Sequence, residues 1–333
     1  MPSRRSVLAA TLGGLALTAT PALAAESRLK SLVDSQHARL AGFQTAAIGA
    51  FRGRDQYAVN GDTIFQIGSI TKTFTGVALA TAVCRGRVSL DDRLTKHLPG
   101  FPVSEAITLK QLATHTSGLP RLPTGLLTDP ALDVWDPYAH ITEAKLIEYL
   151  RMTQLIAEPG SKYEYSNLGA GLLGMALNRD YGTMVRDWIA RPLRLKDTGL
   201  TVTDPRRKVQ GYYDKDMPVP DWHMSVLQGM GALYGTVNDL LRFTHAHIKD
   251  PSPALKLAQR QHFTDGTTRV GLGWHFGSLP RSGEIIWHNG GTGGFSSYTA
   301  FSPSRRTGVA AIVNRFNAAD EAQAAAVELL EAL

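Results

Sequence analysis

Cysteine is almost missing from this 333-residue chain, with Cys84 standing alone. No internal disulfide can form, and thiolate metal clusters and dithiol redox chemistry are excluded. The apolar helical stretch around Cys84 predicts an inert core residue. Beyond the amino terminus no apolar run is long enough to span a bilayer. No fixed-period repeat or low-complexity tract occurs, which excludes solenoids and long disordered tails. The formal charge is only +6 and the basic residues are scattered, so there is no nucleic-acid footprint. At most, that charge gives a mild attraction to anionic envelope polymers. His245 and His247 form an H-x-H pair with no acidic or cysteine partner at ligand spacing. They read as surface histidines, and no metal is expected.

What is present begins with a leader. Arg4 and Arg5, the small and apolar stretch Ser6 to Thr20, and Ala22-Leu23-Ala24 match the three parts of an export signal. Residues 1–24 are expected to be cleaved, placing the mature chain in the periplasm or outside the cell with no stable membrane span. Ser3-Arg4-Arg5-Ser6-Val7-Leu8 resembles a twin-arginine signal, with Val where Phe is usual. No Cys follows the apolar run, so a lipid anchor is not expected. With 43% hydrophobic residues, the chain can bury a large core. Residues 25–333 are read as one catalytic domain and the protein as a monomer.

Strand-like segments gather at the two ends of the mature chain. Thr45 to Phe51 and Gln56 to Val59 read as a hairpin, and Val270 to Phe276, Glu284 to His288, Phe295 to Phe301 and Gly308 to Asn314 as four more strands. Helical patterns occupy Ile70 to Val83, Glu143 to Met152, Leu168 to Leu177, Val237 to Ile248 and the closing Ala318 to Leu333. The fold class is thus α/β in the broad sense, α+β in layout. An antiparallel sheet from about 25–68 and 260–333 is flanked by helices, and residues 69–259 form an all-helical subdomain.

The chemistry starts where the apolar run Phe65-Gln66-Ile67 passes through Gly68 into Ser69-Ile70-Thr71-Lys72. A spacing of three puts Ser69 and Lys72 on one helical face. A serine hydroxyl is a weak nucleophile, and a buried amine of lowered pKa can take or relay its proton. S-x-x-K alone is weak: Ser27-Arg28-Leu29-Lys30 matches it too, but beside the leader, where it reads as a solvated helix start. Tyr165 and Asn167 follow in a turn-rich stretch, two apart, offering a phenol as base and an amide for a substrate. Two neighbouring cations would draw that phenol toward working pH. Trp287-His288-Asn289-Gly290-Gly291 ends a strand in glycines, which lets a substrate approach the backbone and lets Gly291 N–H join Ser69 N–H as an oxyanion hole. Arg306-Thr307-Gly308 mimics a basic-Thr-Gly triplet but sits in a turn between strands.

Ser69-x-x-Lys72, Tyr165-Ser166-Asn167 and His288-Asn289-Gly290 stand in the chain order of the penicillin-recognising enzymes. The sequence resembles class C β-lactamases, serine D-Ala-D-Ala carboxypeptidases and related esterases over nearly the whole mature chain. Gln111 to Pro120, Arg191-Pro192-Leu193 and Gly271 to Trp274 extend the likeness. In the Gln111 to Pro120 loop, His115 is read as buried and hydrogen-bonded. The resemblance implies a β-lactamase/transpeptidase-like fold with its site between sheet and helices, and a Ser69 acyl-enzyme. Lys72 and Tyr165 would be the coupled base and relay, with Asn167, His288, Asn289 and Gly290 on the substrate and no cofactor. It implies a peptidoglycan stem peptide or a β-lactam as substrate. His288 replaces the usual Lys of Lys-Thr-Gly, and its imidazolium would be the reader of a substrate carboxylate. That departure favours a DD-carboxypeptidase/endopeptidase-like hydrolase over a β-lactamase, with an esterase or D-amino-acid amidase third. Asp133 to Tyr138 could rim the cleft.

Overall fold

The apolar segments at the two ends of the chain pair with each other. The structure, a computed structural model, describes residues 21–249 and 251–333. The leader features from Arg4 to Thr20 lie outside the described residues. A first hairpin joins β1 (Ala46–Arg52) to β2 (Asp55–Val59). Two small sheets follow, β3 (Phe65–Gln66) with a later β6 (Tyr234–Gly235), and β4 (Gly211–Asp214) with β5 (Met217–Val219), so the span 69–259 expected to be all-helical also carries three short strands. The last third supplies β7 (Phe263–Thr264), β8 (Arg269–Val270), β9 (His275–Leu279), β10 (Gly283–Gly291), β11 (Ser296–Ser302) and β12 (Thr307–Val313). The main sheet is antiparallel, in the order β2-β1-β12-β11-β10-β9-β8-β7.

Alternation along the central strands feeds two cores. Ile48, Ala50, Val309, Ala311 and Val313 face the helices Pro21–Arg39 and Ala319–Ala332. Ala47, Phe51, Ala310 and Ile312 face the larger core that holds the helices Thr71–Cys84 and Val237–Lys249. Successive side chains point to opposite faces, and here both faces are covered, so β12 reads as an unbroken apolar run. On the larger core's side lie Glu143–Met152, capped by the Thr142 side chain, and Asn167–Leu177, capped by Ser166.

Several sequence expectations need correction. The segment Val270 to Phe276 is not one strand: Gly271 to Trp274 break it between β8 and β9. Gly273 has φ of 74° and sits against the Lys72 carbonyl, where any Cβ would collide. Cys84 is exposed, because it is the last residue of its helix and that end turns out of the core. His247 is fully buried, with Nδ1 bonded to the Phe243 carbonyl and its ring between Phe243, Trp274 and Phe301. Spacing could not show that one face of the Val237–Lys249 helix packs under the sheet. Among the described residues no helix is long and apolar enough to cross a membrane, and no cluster could hold a metal.

Candidate active site

Ser69 sits on a single 3-10 turn, Gly68–Ile70, that runs directly into the helix Thr71–Cys84. Residues Thr71 to Ala82 of that helix are all buried, and Lys72 is buried with them. Its Nζ lies 2.9 Å from Ser69 Oγ and donates to the Met230 carbonyl at 2.6 Å. Burial first, and the charge of Arg121 second, push the Lys72 amine well below the usual lysine range. A neutral amine has one lone pair, and with one N–H spent on Met230 that lone pair can face the serine.

The glycines around Ser69 are there for close approach. Gly68 has φ of 53°, and a Cβ on it would lie 2.6 Å from the Gly291 nitrogen. A Cβ on Gly290 would lie 2.2 Å from the Ile67 carbonyl. Ser297 Oγ donates to that same carbonyl at 2.9 Å, tying the turn to the sheet. The end of β10 therefore abuts the Ser69 turn backbone to backbone.

Tyr165 and Asn167 are placed by the loop that carries His115. Glu164 N–H donates to the His115 carbonyl at 2.7 Å, Ser166 N–H to His115 Nδ1 at 3.1 Å, and Ser166 Oγ to the Pro120 carbonyl at 2.7 Å. His115 is thus buried and bonded as the sequence suggested, with its proton on Nε2. Burial raises the Tyr165 phenol to about 12, against the opposing pull of the Ser69 hydroxyl and of Arg121. The expectation of a phenol drawn toward working pH is overturned, because burial outweighs the neighbouring charge.

These elements enclose a cleft of about 490 Å³. Ser69, Tyr165, Asn167, Asn289, Gly290 and Gly291 all line it, and so does Tyr138 from the segment expected to rim it. His288 does not. Along β10 the cleft takes Trp287 and Asn289, and the residue between them is buried beneath its wall, its ring centre 6.3 Å from that of Tyr165 and 5.1 Å from that of His275. His288 is 0% exposed and donates from Nδ1 to the Asn289 carbonyl. Burial first, with His275 and Lys72 adding to it, holds its imidazole well below the usual histidine range. A neutral, buried ring cannot be the imidazolium that reads a carboxylate, so that expectation is corrected.

Among the cleft residues that sequence reasoning missed are His275 and Arg121. His275 bonds Tyr163 through Nε2 at 2.8 Å, stacks on Trp287 and is lowered to about 4 by burial. Arg121 holds its guanidinium 5.1 Å from the centre of the Tyr165 ring. Both directly follow stretches that carried the resemblance, Gly271 to Trp274 and Gln111 to Pro120, and that adjacency was the available signal. Ser27 and Lys30 of the decoy motif lie exposed on the helix Pro21–Arg39.

Comparisons with known proteins agree with this geometry. The chain is 32% identical over 284 residues to the D-alanyl-D-alanine-carboxypeptidase/endopeptidase AmpH of Escherichia coli (strain K12), covering 76% of this chain and 71% of that protein. A β-lactamase of the same strain is 26% identical over 304 residues, covering 77% of each. A solved class C β-lactamase in complex with cefoxitin superposes with a TM-score of 0.81 at 22% identity, over 93% of this chain and 100% of that one, and shares the fold. The Beta-lactamase family model matches residues 31–333. A match of that extent settles the assignment: the chain belongs to the β-lactamase family and is a serine hydrolase.

Proposed function

We propose that this serine hydrolase is an exported D-Ala-D-Ala carboxypeptidase/endopeptidase-like enzyme acting on peptidoglycan stem peptides through a Ser69 acyl-enzyme. The observation that carries the reading is the placement of Ser69 Oγ, 2.9 Å from a buried amine of lowered pKa. Lys72 takes the Ser69 proton as Oγ bonds the peptide carbonyl carbon. The N–H groups of Ser69 and Gly291 receive the oxyanion. As the C–N bond breaks, the proton passes through the Tyr165 phenol to the departing amine. A phenol that stays protonated up to about 12 suits a relay better than a resting base. Water then enters along the same path and releases the acyl group. Asn167 and Asn289 bond the substrate amides. Export rests on the leader pattern, and the peptidase preference on the likeness to the carboxypeptidase/endopeptidase and on the loss of Lys-Thr-Gly.

The test is intact-mass spectrometry after exposure to labelled penicillin, followed over time, beside release of D-Ala from D-Ala-D-Ala peptides. A persistent adduct with D-Ala release supports the peptidase. Rapid loss of the adduct makes the chain a β-lactamase, the reading favoured by the 26% identical relative. No adduct and no D-Ala release leaves an esterase or amidase. Ser69→Ala must abolish adduct and turnover with the fold intact, and labelling retained in that variant overturns the acyl-enzyme.

A further inference from the structure

With His288 buried, the cleft needs another group to recognise an acidic substrate, and one residue stands out. Of the residues lining it, Arg121 alone carries a permanent charge, and no acidic side chain lines it. The other cations nearby are spoken for. Lys72 is committed to Ser69 and Met230. Arg315, next to the cleft residue Phe316, donates to the Gly42 carbonyl at 3.1 Å and lies over the Phe43 ring, turned away. Lys208 pairs with Asp221 at 2.8 Å.

Arg121 is exposed and forms no ion pair among the described residues. Its main chain is nevertheless fixed: its carbonyl accepts the N–H groups of Asn167 at 3.0 Å and Leu168 at 3.2 Å. The backbone that positions Asn167 thus positions Arg121 as well. The guanidinium stands 5.1 Å from the Tyr165 ring centre, and stacking on an aromatic face leaves the N–H edges of the fork free. Tyr138, Tyr163, Trp222 and Trp287 line the same cleft, and a carboxylate that meets the guanidinium there forms a charge-assisted, bidentate bond.

We propose that Arg121 receives a carboxylate of the substrate and makes this cleft selective for acidic acyl-transfer substrates. The inference deepens the peptidase reading, since a D-Ala-terminated stem peptide carries such a carboxylate, but it concerns the charge of the substrate and not the bond cleaved. Two neutral hydrogen-bonding residues, Asn167 and Asn289, then orient the amide backbone while Arg121 fixes the charged end.

The experiment compares matched substrates in wild type, Arg121→Gln and Arg121→Lys by kcat/KM. One pair is a D-Ala-D-Ala peptide and its carboxy-terminal amide. A second is the m-carboxyphenyl and phenyl butyrates, with the charge on the leaving group. A third is phenyl hemisuccinate and phenyl butyrate, with the charge on the acyl group. Wild type should favour the charged member of at least one pair. Arg121→Gln should erode that preference by about tenfold or more, with part of it kept by Arg121→Lys. Both members of a pair share the enzyme's own titrations, so any effect of Arg121 on Lys72 cancels in the ratio. The pair that collapses tells on which side of the scissile bond the carboxylate lies. No preference in wild type, or a preference unchanged in Arg121→Gln, overturns the inference. Turnover of esters without either peptide overturns the peptidase reading instead, and the ester ratios still judge Arg121.

Discussion

Lys72 Nζ stands 2.9 Å from Ser69 Oγ, and its second bond, to the Met230 carbonyl at 2.6 Å, fixes which way its remaining valence faces. Both contacts form in a buried pocket that disfavours the ammonium form. The amine is thereby poised to accept a proton from one particular oxygen.

Lys72 and Tyr165 act on the same proton in the proposed mechanism, so their losses should not multiply. Lys72→Ala and Tyr165→Phe are each expected to slow acylation by about a hundredfold or more, and the double variant to be little worse than the poorer single. Stopped-flow acylation with a chromogenic substrate gives the three rates. A fully multiplicative double variant would show independent roles.

The lowered Lys72 pKa also appears in stability. Between its folded value and the ordinary 10.5, the unfolded chain holds a proton that the folded chain lacks. Stability from this group therefore rises with pH across that window and is lost as pH falls toward the folded value. Lys72→Met should flatten the slope of unfolding free energy against pH between neutral and alkaline conditions. Urea unfolding at several pH values measures that slope in both proteins, and equal slopes would contradict a neutral Lys72.

His288 is expected to leave no mark on substrate choice between pH 5 and 8. Its imidazole is fully buried and held in the neutral form, so the ratio of kcat/KM for a carboxylated substrate to that for its neutral partner should stay flat through the ordinary histidine range. A fall in that ratio as pH rises through about 6.5 would restore His288 as a carboxylate reader.

Gly290 and Gly291 should respond differently to alanine. A Cβ at 290 strikes the Ile67 carbonyl at 2.2 Å, whereas one at 291 meets nothing closer than the Phe295 carbonyl at 3.9 Å. Gly290→Ala should push β10 from the Ser69 turn and cost about a hundredfold or more in kcat, and Gly291→Ala far less. Steady-state kinetics with circular dichroism to verify folding decides the point. Equal losses would show that the close approach at 290 is unimportant.

Much of the molecule was legible in local pattern. Glu143–Met152 was read to the residue, because a Thr cap and apolar spacing mark both ends of that helix. The strands at either end of the chain announced themselves by β-branched and aromatic runs bounded by glycine. The order Ser69, Lys72, Tyr165, Asn167 and Asn289 to Gly291 picked out residues that the fold gathers round one cleft.

What the sequence could not supply was the direction in which a side chain points and the medium it enters. His288 and Asn289 are neighbours in sequence, yet strand alternation buries one behind Tyr165 and His275 and opens the other to the cleft. Cys84 ends an apolar helix and His247 lies on an amphipathic one, yet the cysteine is exposed and the histidine fully buried, because neighbouring elements cover the second and not the first. Sequence fixes which groups can react, through their chemistry and short-range spacing. Burial, which pushes Lys72 down and Tyr165 up, arises only when segments hundreds of residues apart close around them. Tertiary structure alone therefore decided which charges survive in the cleft, and it left Arg121 as the permanent one.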